Sequence, residues 1–228
     1  MQISVVMPVY NEQATIAEII RRVLNSDLVS ELLVVDDGST DGTSRILGEL
    51  DHSDPRLIIL RKDRNEGKGA AVRLGFEKAV SPIILIQDAD LEYDPRHYPV
   101  LLRPLEEGLA DVVYGSRFLG EARRPILFWN MVANKMLTLV TNVLYNTILT
   151  DMETGYKVFR REVIQGMRIR ARRFEFEPEV TARLLKHKVR LFEVPIAFNP
   201  RDYSEGKKIR MRDGFYALWT LVKYRFVD

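Results

Sequence analysis

The chain has 228 residues, 46% of them hydrophobic, and a formal net charge of +2. This length fits a single domain, and the hydrophobic fraction excludes a disordered chain. The absence of cysteine excludes a disulfide scaffold, a thiolate zinc site and a cysteine nucleophile. The first residues do not show a basic stretch followed by a long apolar run, so we expect no signal peptide and a cytoplasmic location.

Charge is divided unevenly along the chain. Residues 1–114 carry a net charge of −8, whereas residues 115–228 carry +10. An acidic half suits a metal ion or the hydroxyl groups of a sugar, and a basic half suits a phosphate or an anionic membrane. Nucleic-acid binding is not expected, because the acidic half would repel the phosphate backbone.

Short apolar runs alternate with segments of helical periodicity through the first half. Strands are predicted at residues 3–9, 32–35, 57–60, 83–87 and 111–114. Helices are predicted between them, at residues 14–25, 41–50, 69–79 and 96–107. This alternation, with nearly continuous apolar strands, predicts a parallel sheet flanked by helices. Ligands of such sheets bind beyond the carboxyl ends of the strands.

The second half is less regular. Strands are predicted at 156–161 and 189–194, helices at 179–188 and 211–226, and a basic loop at 199–212. The segment 125–149 is mostly apolar, with polar residues every four positions: Asn130, Asn134, Thr138, Asn142 and Asn146. One polar stripe is typical of a helix lying in a membrane interface, but also of a core or dimer helix. The aromatic-rich helix 211–226 also carries basic residues, a combination typical of interfacial anchoring.

Two acidic motifs follow predicted strands. Asp36 and Asp37 end the second strand, and Asp88-Ala89-Asp90 follows the fourth. Aspartates two residues apart on an extended segment project to the same side, so Asp88 and Asp90 can approach one cation. Oxygen-only ligands favour Mg²⁺ or Mn²⁺ over zinc. The alternatives are a helix-capping turn for the first motif and a solvated acidic turn for the second.

Two further turns offer candidate binding groups. In Pro8-Val-Tyr-Asn-Glu12, the Tyr10 ring can stack on a nucleobase while Glu12 fixes the base edge or the ribose. The alternative is a strand–turn–helix connection capped by Asn11. The glycine-rich turn at 64–69 has backbone N–H groups that could face a diphosphate, although it matches neither a P-loop nor a dinucleotide-binding fingerprint.

Five motifs follow one another along the chain: PVYNE at 8–12, VVDDGSTD at 34–41, NEGKG at 65–69, DAD at 88–90 and GSR at 115–117. Together they resemble the family-2 glycosyltransferases, and most of all the dolichol-phosphate mannose synthase and polyprenyl-phosphate glycosyltransferase branch. The resemblance implies a GT-A fold, which is α/β with a Rossmann-like, mostly parallel sheet flanked by helices. It implies one domain over 1–228, with a nucleotide-sugar-binding half at 1–114. The acceptor-side half at 115–228 would contain interfacial amphipathic helices.

The resemblance also implies roles for individual residues. Nucleotide binding would involve Pro8, Tyr10, Glu12, Val35, Asp37, Asp88 and Ala89. The metal would be held by Asp88, Asp90 and Glu92, and catalysis would use Asp88, Asp90 and Arg117. Arg117 would also meet the acceptor, and Glu177 lies in a segment that resembles the acceptor side of the same branch. The basic loop adds Arg201, Lys207 and Lys208, which can close over a phosphate or form a solvated charge run.

The expected reaction is an inverting, metal-dependent transfer of a sugar from a GDP- or UDP-sugar to a polyprenyl phosphate. Mg²⁺ or Mn²⁺ is the expected cofactor. The protein is expected to contact a cytoplasmic membrane face peripherally. The sequence leaves open whether the protein forms a homo-oligomer. A phosphate acceptor needs no general base, whereas a hydroxyl acceptor would need one of Glu153, Glu175, Glu177 and Glu179. The alternatives are a soluble glycosyltransferase with a small hydroxylated acceptor, a sugar nucleotidyltransferase and a non-enzymatic membrane-surface protein.

Overall fold

The computed structural model describes residues 1–120, 124–125, 127–201 and 211–227, with the backbone alone for 211–213. Its strands are β1 (Ile3–Val9), β2 (Val29–Asp36), β3 (Leu57–Arg61), β4 (Ile83–Ile86), β5 (Val112–Ser116), β6 (Lys157–Arg160) and β7 (Leu191–Pro195). Its helices are α1 (Ile16–Leu24), α2 (Thr43–Leu50), α3 (Lys68–Lys78), α4 (Tyr98–Glu106), α5 (Phe128–Tyr145), α6 (Arg161–Gln165), α7 (Phe176–Lys186) and α8 (Met211–Phe226).

The predicted α/β architecture is confirmed, with shifts at several element ends. Strand β2 begins at Val29 rather than at Leu32. Helix α4 is preceded by a 3₁₀ turn over Pro95–His97. Helix α7 begins at Phe176 rather than at residue 179, so two glutamates that were predicted to precede it lie within or beside its first turn. The short helix α6 was not predicted, because five residues are too few to show helical periodicity.

The strands form one sheet in the order β3-β2-β1-β4-β6-β5-β7. Strands β1, β2, β3 and β4 pair in parallel, as do β5 and β7, but β6 runs antiparallel to both of its neighbours. Because β6 is reversed, it starts at the edge where the other strands end. The segment before β6 therefore joins the motifs that follow β1, β2, β4 and β5.

Apolar cores cover both faces of the sheet. Val5 and Met7 of β1 point into the cluster that contains α1 and α4, whereas Val6 points into the cluster that contains α3 and α7. This alternation is the two-residue period of a strand buried on both faces. A smaller third cluster joins α5 to α8 through Leu137 and Leu221.

Helix α5 turns Asn134, Thr138 and Asn142 of its polar stripe toward the protein, whereas Asn146 follows the helix and is exposed. Asn134 Nδ2 donates to Asp151 Oδ1 at 3.0 Å, Thr138 Oγ1 accepts the N–H of Met152, and Asn142 bonds to both backbone groups of residue 149. The outward side chains are large and apolar: Phe128, Trp129, Met136, Leu139 and Val143. Within the described ranges, no helix combines the length and the hydropathy needed to cross a bilayer.

Candidate active site

The carboxyl edge of the sheet gathers most of the predicted site residues. Tyr10 and Glu12 follow β1, Asp88 to Glu92 follow β4, and Arg117 follows β5. Arg201 reaches the same edge after β7, and the segment 151–155 arrives there because β6 is antiparallel. The parallel strands thus assemble the motifs, and the reversed strand adds a group of residues between them.

Asp88 is held by Lys68 of the glycine-rich turn, a pairing that the sequence did not predict. Lys68, the first residue of α3, places Nζ 2.8 Å from Asp88 Oδ1 and 2.9 Å from Glu177 Oε1. Asp88 also lies against Gly155, which has no side chain to obstruct it. Lys68 therefore connects the acidic motif of β4 to the start of α7.

A second cation, Arg201, lies against the neighbouring carboxylates. Its NH1 and NH2 groups bind Glu12 at 2.9 and 3.2 Å, and NH2 lies 3.1 Å from Asp90 Oδ2. Its backbone N–H donates to Glu92 Oε1 at 2.8 Å. Burial, followed by the charges of Asp88 and Glu92, raises the pKa of Asp90 to about 7. The carboxylates of Glu12, Asp90 and Glu92 together carry more negative charge than the single guanidinium of Arg201 neutralises.

These carboxylates fit a metal that is shared with a substrate phosphate. Among the residues that the structure describes, no three acidic or histidine side chains are placed to hold a metal ion by themselves. Mg²⁺ is commonly bound through one or two carboxylates, while substrate phosphates and water complete its shell, and Mn²⁺ prefers similar oxygen ligands. Asp88, Asp90 and Glu92 supply only oxygen donors within one turn.

Arg117 forms a bidentate ion pair with a fully buried partner. Its Nε and NH2 groups lie 2.7 Å from the two carboxylate oxygens of Asp151, and its backbone N–H donates to Oδ2. Its guanidinium also lies 5.0 Å from the centre of the Phe198 ring. Burial alone would raise the pKa of Asp151, but the charge and hydrogen bonds of Arg117 hold it below the usual range. Asp151 thereby fixes the orientation of Arg117 at the sheet edge.

The four glutamates considered as bases have different partners. Glu179 is fully buried and accepts hydrogen bonds from backbone N–H groups and an arginine, Glu175 accepts one backbone N–H, and Glu177 pairs with Lys68. Glu153 Oε1 is buried and has no hydrogen-bond partner among the described residues. Burial, followed by the charge of Glu177, raises the pKa of Glu153. Of the four, Glu153 is the one with a buried carboxylate oxygen that no described donor satisfies.

Asp36 and Asp37 are buried, and protein groups satisfy both carboxylates. Asp36 accepts hydrogen bonds from a serine N–H and a serine hydroxyl. Asp37 lies 2.8 Å from Lys62 Nζ and accepts the N–H groups of Glu66 and Gly67. The glycine-rich turn therefore directs these two N–H groups at Asp37, which fixes the turn beside the site.

The remaining predicted residues are placed as follows. Pro8 and Val35 are register partners on β1 and β2, Val35 and Ala89 are buried, and Tyr10 is half-buried at the end of β1. Lys207 and Lys208 lie outside the described residues. Sequence reasoning missed Gln87, whose buried amide accepts two tyrosine hydroxyls and donates to the Asp88 carbonyl. Its position at the end of an apolar strand was the only signal.

Adding a single methyl group at Gly155 is expected to lower the activity. A β-carbon there would overlap Asp88 Oδ2 and lie 3.1 Å from the Tyr93 ring. Gly155→Ala would therefore displace the Asp88 carboxylate, and we expect kcat/KM to fall about a hundredfold, the cost of a small misplacement at a reacting centre. Steady-state kinetics measure the effect.

Gly166→Ala is the matched control, because a β-carbon there meets only the Glu162 carbonyl at an ordinary 3.7 Å. We expect this variant to keep wild-type kinetics and the same melting temperature. Equal kinetics for Gly155→Ala and wild type would mean that the position of Asp88 is not important for turnover.

Sequence comparison identifies the family to which these motifs belong. Residues 4–167 match the family described as glycosyl transferase family 2. Polyprenol monophosphomannose synthase of Mycolicibacterium smegmatis is 30% identical over 211 residues, which are 89% of this chain and 79% of that protein. Dolichol-phosphate mannosyltransferase of Pyrococcus furiosus is 30% identical over 91% of this chain, but the match spans only 59% of its own length.

A third relative is undecaprenyl-phosphate 4-deoxy-4-formamido-L-arabinose transferase of Proteus mirabilis, which is 29% identical over 90% of this chain and 62% of its own. Among solved structures, glucosyl-3-phosphoglycerate synthase of Mycobacterium tuberculosis with Mn²⁺, UDP and phosphoglyceric acid has a TM-score of 0.78 at 20% identity. The likeness covers 100% of this chain and 79% of that one, and it confirms the GT-A fold. The chain belongs to glycosyl transferase family 2 and is a glycosyltransferase.

Proposed function

We propose that this glycosyltransferase moves a sugar, with inversion, from a GDP- or UDP-sugar to a polyprenyl phosphate at a membrane surface, with Mg²⁺ or Mn²⁺. Within a single domain, residues 1–114 bind the donor and residues 115–228 bind the acceptor. The names of the relatives support the acceptor class, since all three act on a polyprenol, dolichol or undecaprenyl phosphate.

The observation that carries the proposal is the juxtaposition of acidic and basic groups at one edge. Asp88, Asp90 and Glu92 suit a metal-bound diphosphate, with Lys68 against Asp88 and Arg201 against Asp90 and Glu92. Arg117 is rigidly oriented at the end of β5. A donor with a leaving diphosphate and an acceptor with its own phosphate both need cations close to the reacting carbon.

The chemistry requires little proton transfer. An anionic phosphate oxygen of the acceptor attacks the anomeric carbon, and the bond from that carbon to the diphosphate breaks on the opposite side. The electron pair leaves with the nucleoside diphosphate, so no proton has to be removed from the acceptor. Arg117 and Arg201 position phosphate oxygens. A bound divalent metal would neutralise the negative charge that develops on the leaving diphosphate.

The inward polarity of α5 supports a lipid acceptor. Asn134 of α5 bonds to Asp151, and Asp151 holds Arg117. A helix is about 10 Å across, so the exposed apolar face of α5 lies about one helix diameter behind this arginine. Helix α8 packs beside α5 and exposes Phe215, Trp219 and Phe226. A phosphate carried at the bilayer surface would therefore have a short path to the site.

The test is a product assay with the purified protein, Mn²⁺, a panel of GDP- and UDP-sugars and a short-chain polyprenyl phosphate. The proposal expects a polyprenyl phosphosugar and one equivalent of nucleoside diphosphate, both identified by mass spectrometry. Thermal stabilisation by the nucleotides narrows the panel first, because a bound ligand raises the melting temperature.

Other products would distinguish the alternatives. Transfer to small hydroxylated acceptors but never to the lipid phosphate would identify the soluble transferase, and Glu153→Gln should then abolish it. Release of pyrophosphate would identify a nucleotidyltransferase. Binding to vesicles without any nucleotide binding would identify a non-enzymatic membrane-surface protein.

Membrane contact is expected to depend on the exposed tryptophans. Trp129 on α5 and Trp219 on α8 are 76% and 65% exposed. Burying a large aromatic side chain in a bilayer interface contributes about 1.5–3 kcal/mol, so we expect Trp129→Ser or Trp219→Ser to weaken vesicle binding about tenfold each. Co-sedimentation with phospholipid vesicles measures the partition coefficient.

Val80→Ser is the control, because Val80 is an exposed apolar residue between α3 and β4, and its side chain is 67% exposed. We expect unchanged vesicle binding in this variant. If all three variants bind as tightly as wild type, α5 and α8 do not contact lipid.

A further inference from the structure

Gln87 is a fully buried amide that lies directly after β4 and before the turn at 88–93. Its Nε2 donates to the carbonyl oxygen of Asp88 at 3.0 Å and to that of Tyr93 at 3.3 Å. One NH₂ group therefore connects the first and the last residue of the turn. The candidate metal ligands all lie in the turn that this group closes: Asp88, Asp90 and Glu92.

Two tyrosines fix which way the amide points. The hydroxyls of Tyr98, the first residue of α4, and Tyr156, just before β6, donate to Gln87 Oε1 at 3.0 and 2.7 Å. Burial raises the pKa of both hydroxyls far above the usual range, so they stay protonated. Carbonyl oxygens can only accept hydrogen bonds, so the NH₂ side of the amide must face Asp88 and Tyr93. Residues from outside the turn thus hold the amide in a single orientation.

The turn needs this support, because its backbone is strained at Leu91. Leu91 has a φ of +62°, in the left-handed region that side chains other than asparagine and aspartate rarely adopt. Its side chain packs against the core cluster that contains α1 and α4, which favours leucine here despite the strain. A strained backbone persists only where its surroundings determine it, and Gln87 makes two of the bonds that do so.

Stability alone does not explain an amide at this position. Strand β4, Ile83–Ile86, is apolar and fully buried, and an apolar side chain at 87 would continue that pattern. Replacing buried hydrogen-bonded groups with apolar groups of the same shape is often nearly neutral for stability. The amide adds a fixed separation between the two carbonyl groups that bracket the carboxylates.

We infer that Gln87 is a positioning residue, which sets the shape of the turn at 88–93 for the metal–diphosphate complex, and that Tyr98 and Tyr156 act through it. The inference rests on the proposed function, in which a divalent ion lies between this turn and the diphosphate of the donor. Gln87 is fully buried, so it contacts neither the ion nor the substrate. It keeps the carboxylates of the turn where one ion can bind more than one of them.

The test compares the Kd of a nucleoside diphosphate in saturating Mn²⁺ and in excess chelator, by titration calorimetry with whichever of UDP and GDP binds more tightly. Gln87→Met keeps the length of the side chain but removes the bonds to both carbonyl groups. We expect its Kd in Mn²⁺ to be at least about tenfold higher than that of wild type, the usual cost of removing an outer partner of metal ligands. Its Kd in chelator should be unchanged, because the metal-free complex does not use the carboxylates of the turn.

Two further variants separate positioning from folding. Ser4→Ala removes a buried hydroxyl that bonds to Glu31 and Ser81 at the opposite edge of the sheet, so it should lower the melting temperature without changing either Kd. Tyr98→Phe combined with Tyr156→Phe keeps both rings but removes the donors to Oε1, and we expect a smaller weakening in Mn²⁺ alone. Adding Gln87→Met to this pair should weaken binding no further than Gln87→Met does by itself.

A folded Gln87→Met protein with the wild-type Kd in Mn²⁺ overturns the inference and leaves the proposed function intact. Equal weakening with and without metal also overturns it, because the amide would then support the nucleotide site in general. If Gln87→Met does not fold, the tyrosine pair decides, and wild-type binding by that variant overturns the inference. If Mn²⁺ does not tighten nucleoside diphosphate binding to the wild-type protein, the metal assignment of the proposed function fails, and the inference fails with it.

Discussion

Replacing Asp90 with asparagine is expected to lower kcat/KM about a thousandfold, at the upper end of what one charged or polar group contributes to stabilising developing charge. Asparagine keeps the size of the side chain and one oxygen, but it removes the negative charge that a metal–diphosphate complex requires. The fold should be preserved, because the substitution removes one carboxylate from beside Asp88 and Glu92. Kinetics with saturating Mn²⁺ and a melting curve of the free enzyme measure both effects.

Asp111→Asn provides the matched control for this variant. Asp111 is also an aspartate paired with an arginine, but it lies on the surface next to β5, where it contacts Arg190 and Arg160. We expect unchanged kinetics. Full turnover by Asp90→Asn would contradict the metal role, and loss of activity together with a collapsed melting curve would assign the effect to folding instead.

Strand positions could be predicted because each strand of the first half is a short apolar run that ends in a polar turn. The ends of β1 and β4 coincide with Pro8 to Glu12 and Asp88 to Glu92, so the carboxyl edge of the sheet followed from the parallel-sheet rule. The direction of β6 could not be predicted, because a four-residue strand has the same pattern in either direction. That direction brings the segment 151–155, which contains the candidate base Glu153, to the site.

Tertiary pairing explains the other differences. Lys68 was interpreted as part of a phosphate-facing turn, but it reaches Asp88 and Glu177, which are 20 and 109 residues away in the sequence. The stripe of asparagines on α5 was recognised from its period, but a period does not say whether the polar face meets water or protein. The structure shows the polar face inside, because Asn134 and its neighbours satisfy the buried backbone and carboxylate of 149–152.

For Asp36 and Asp37 too, the sequence showed the charged groups but not their partners in the fold. Two carboxylates at the end of a buried strand indicated a ligand, because burial of an unpaired charge is costly. Lys62 and two backbone N–H groups supply the compensation for Asp37 within the protein. Nucleotide contact by Asp37 therefore stays a prediction, and any such contact would share a carboxylate that already fixes the turn before α3.

Asp151→Asn is expected to lower the free energy of unfolding by about 3 kcal/mol, the usual cost of removing one partner of a buried ion pair. Three donor groups of Arg117 and Nδ2 of Asn134 converge on the two oxygens of Asp151. An asparagine has one acceptor oxygen, and its own NH₂ group would face these donors. Urea unfolding at neutral pH measures the loss.

The pH dependence of this effect identifies its cause. Because Arg117 holds the pKa of Asp151 below the usual range, the pair stabilises the protein above about pH 4, where the unfolded aspartate is ionised. As the pH falls below that value, the wild-type protein loses this contribution, so the difference from Asp151→Asn should shrink. A constant difference across that range would assign the loss to packing rather than to charge. In Asp111→Asn the loss of the surface pair should have a much smaller effect at any pH, because its partner Arg190 is 56% exposed and water screens the interaction.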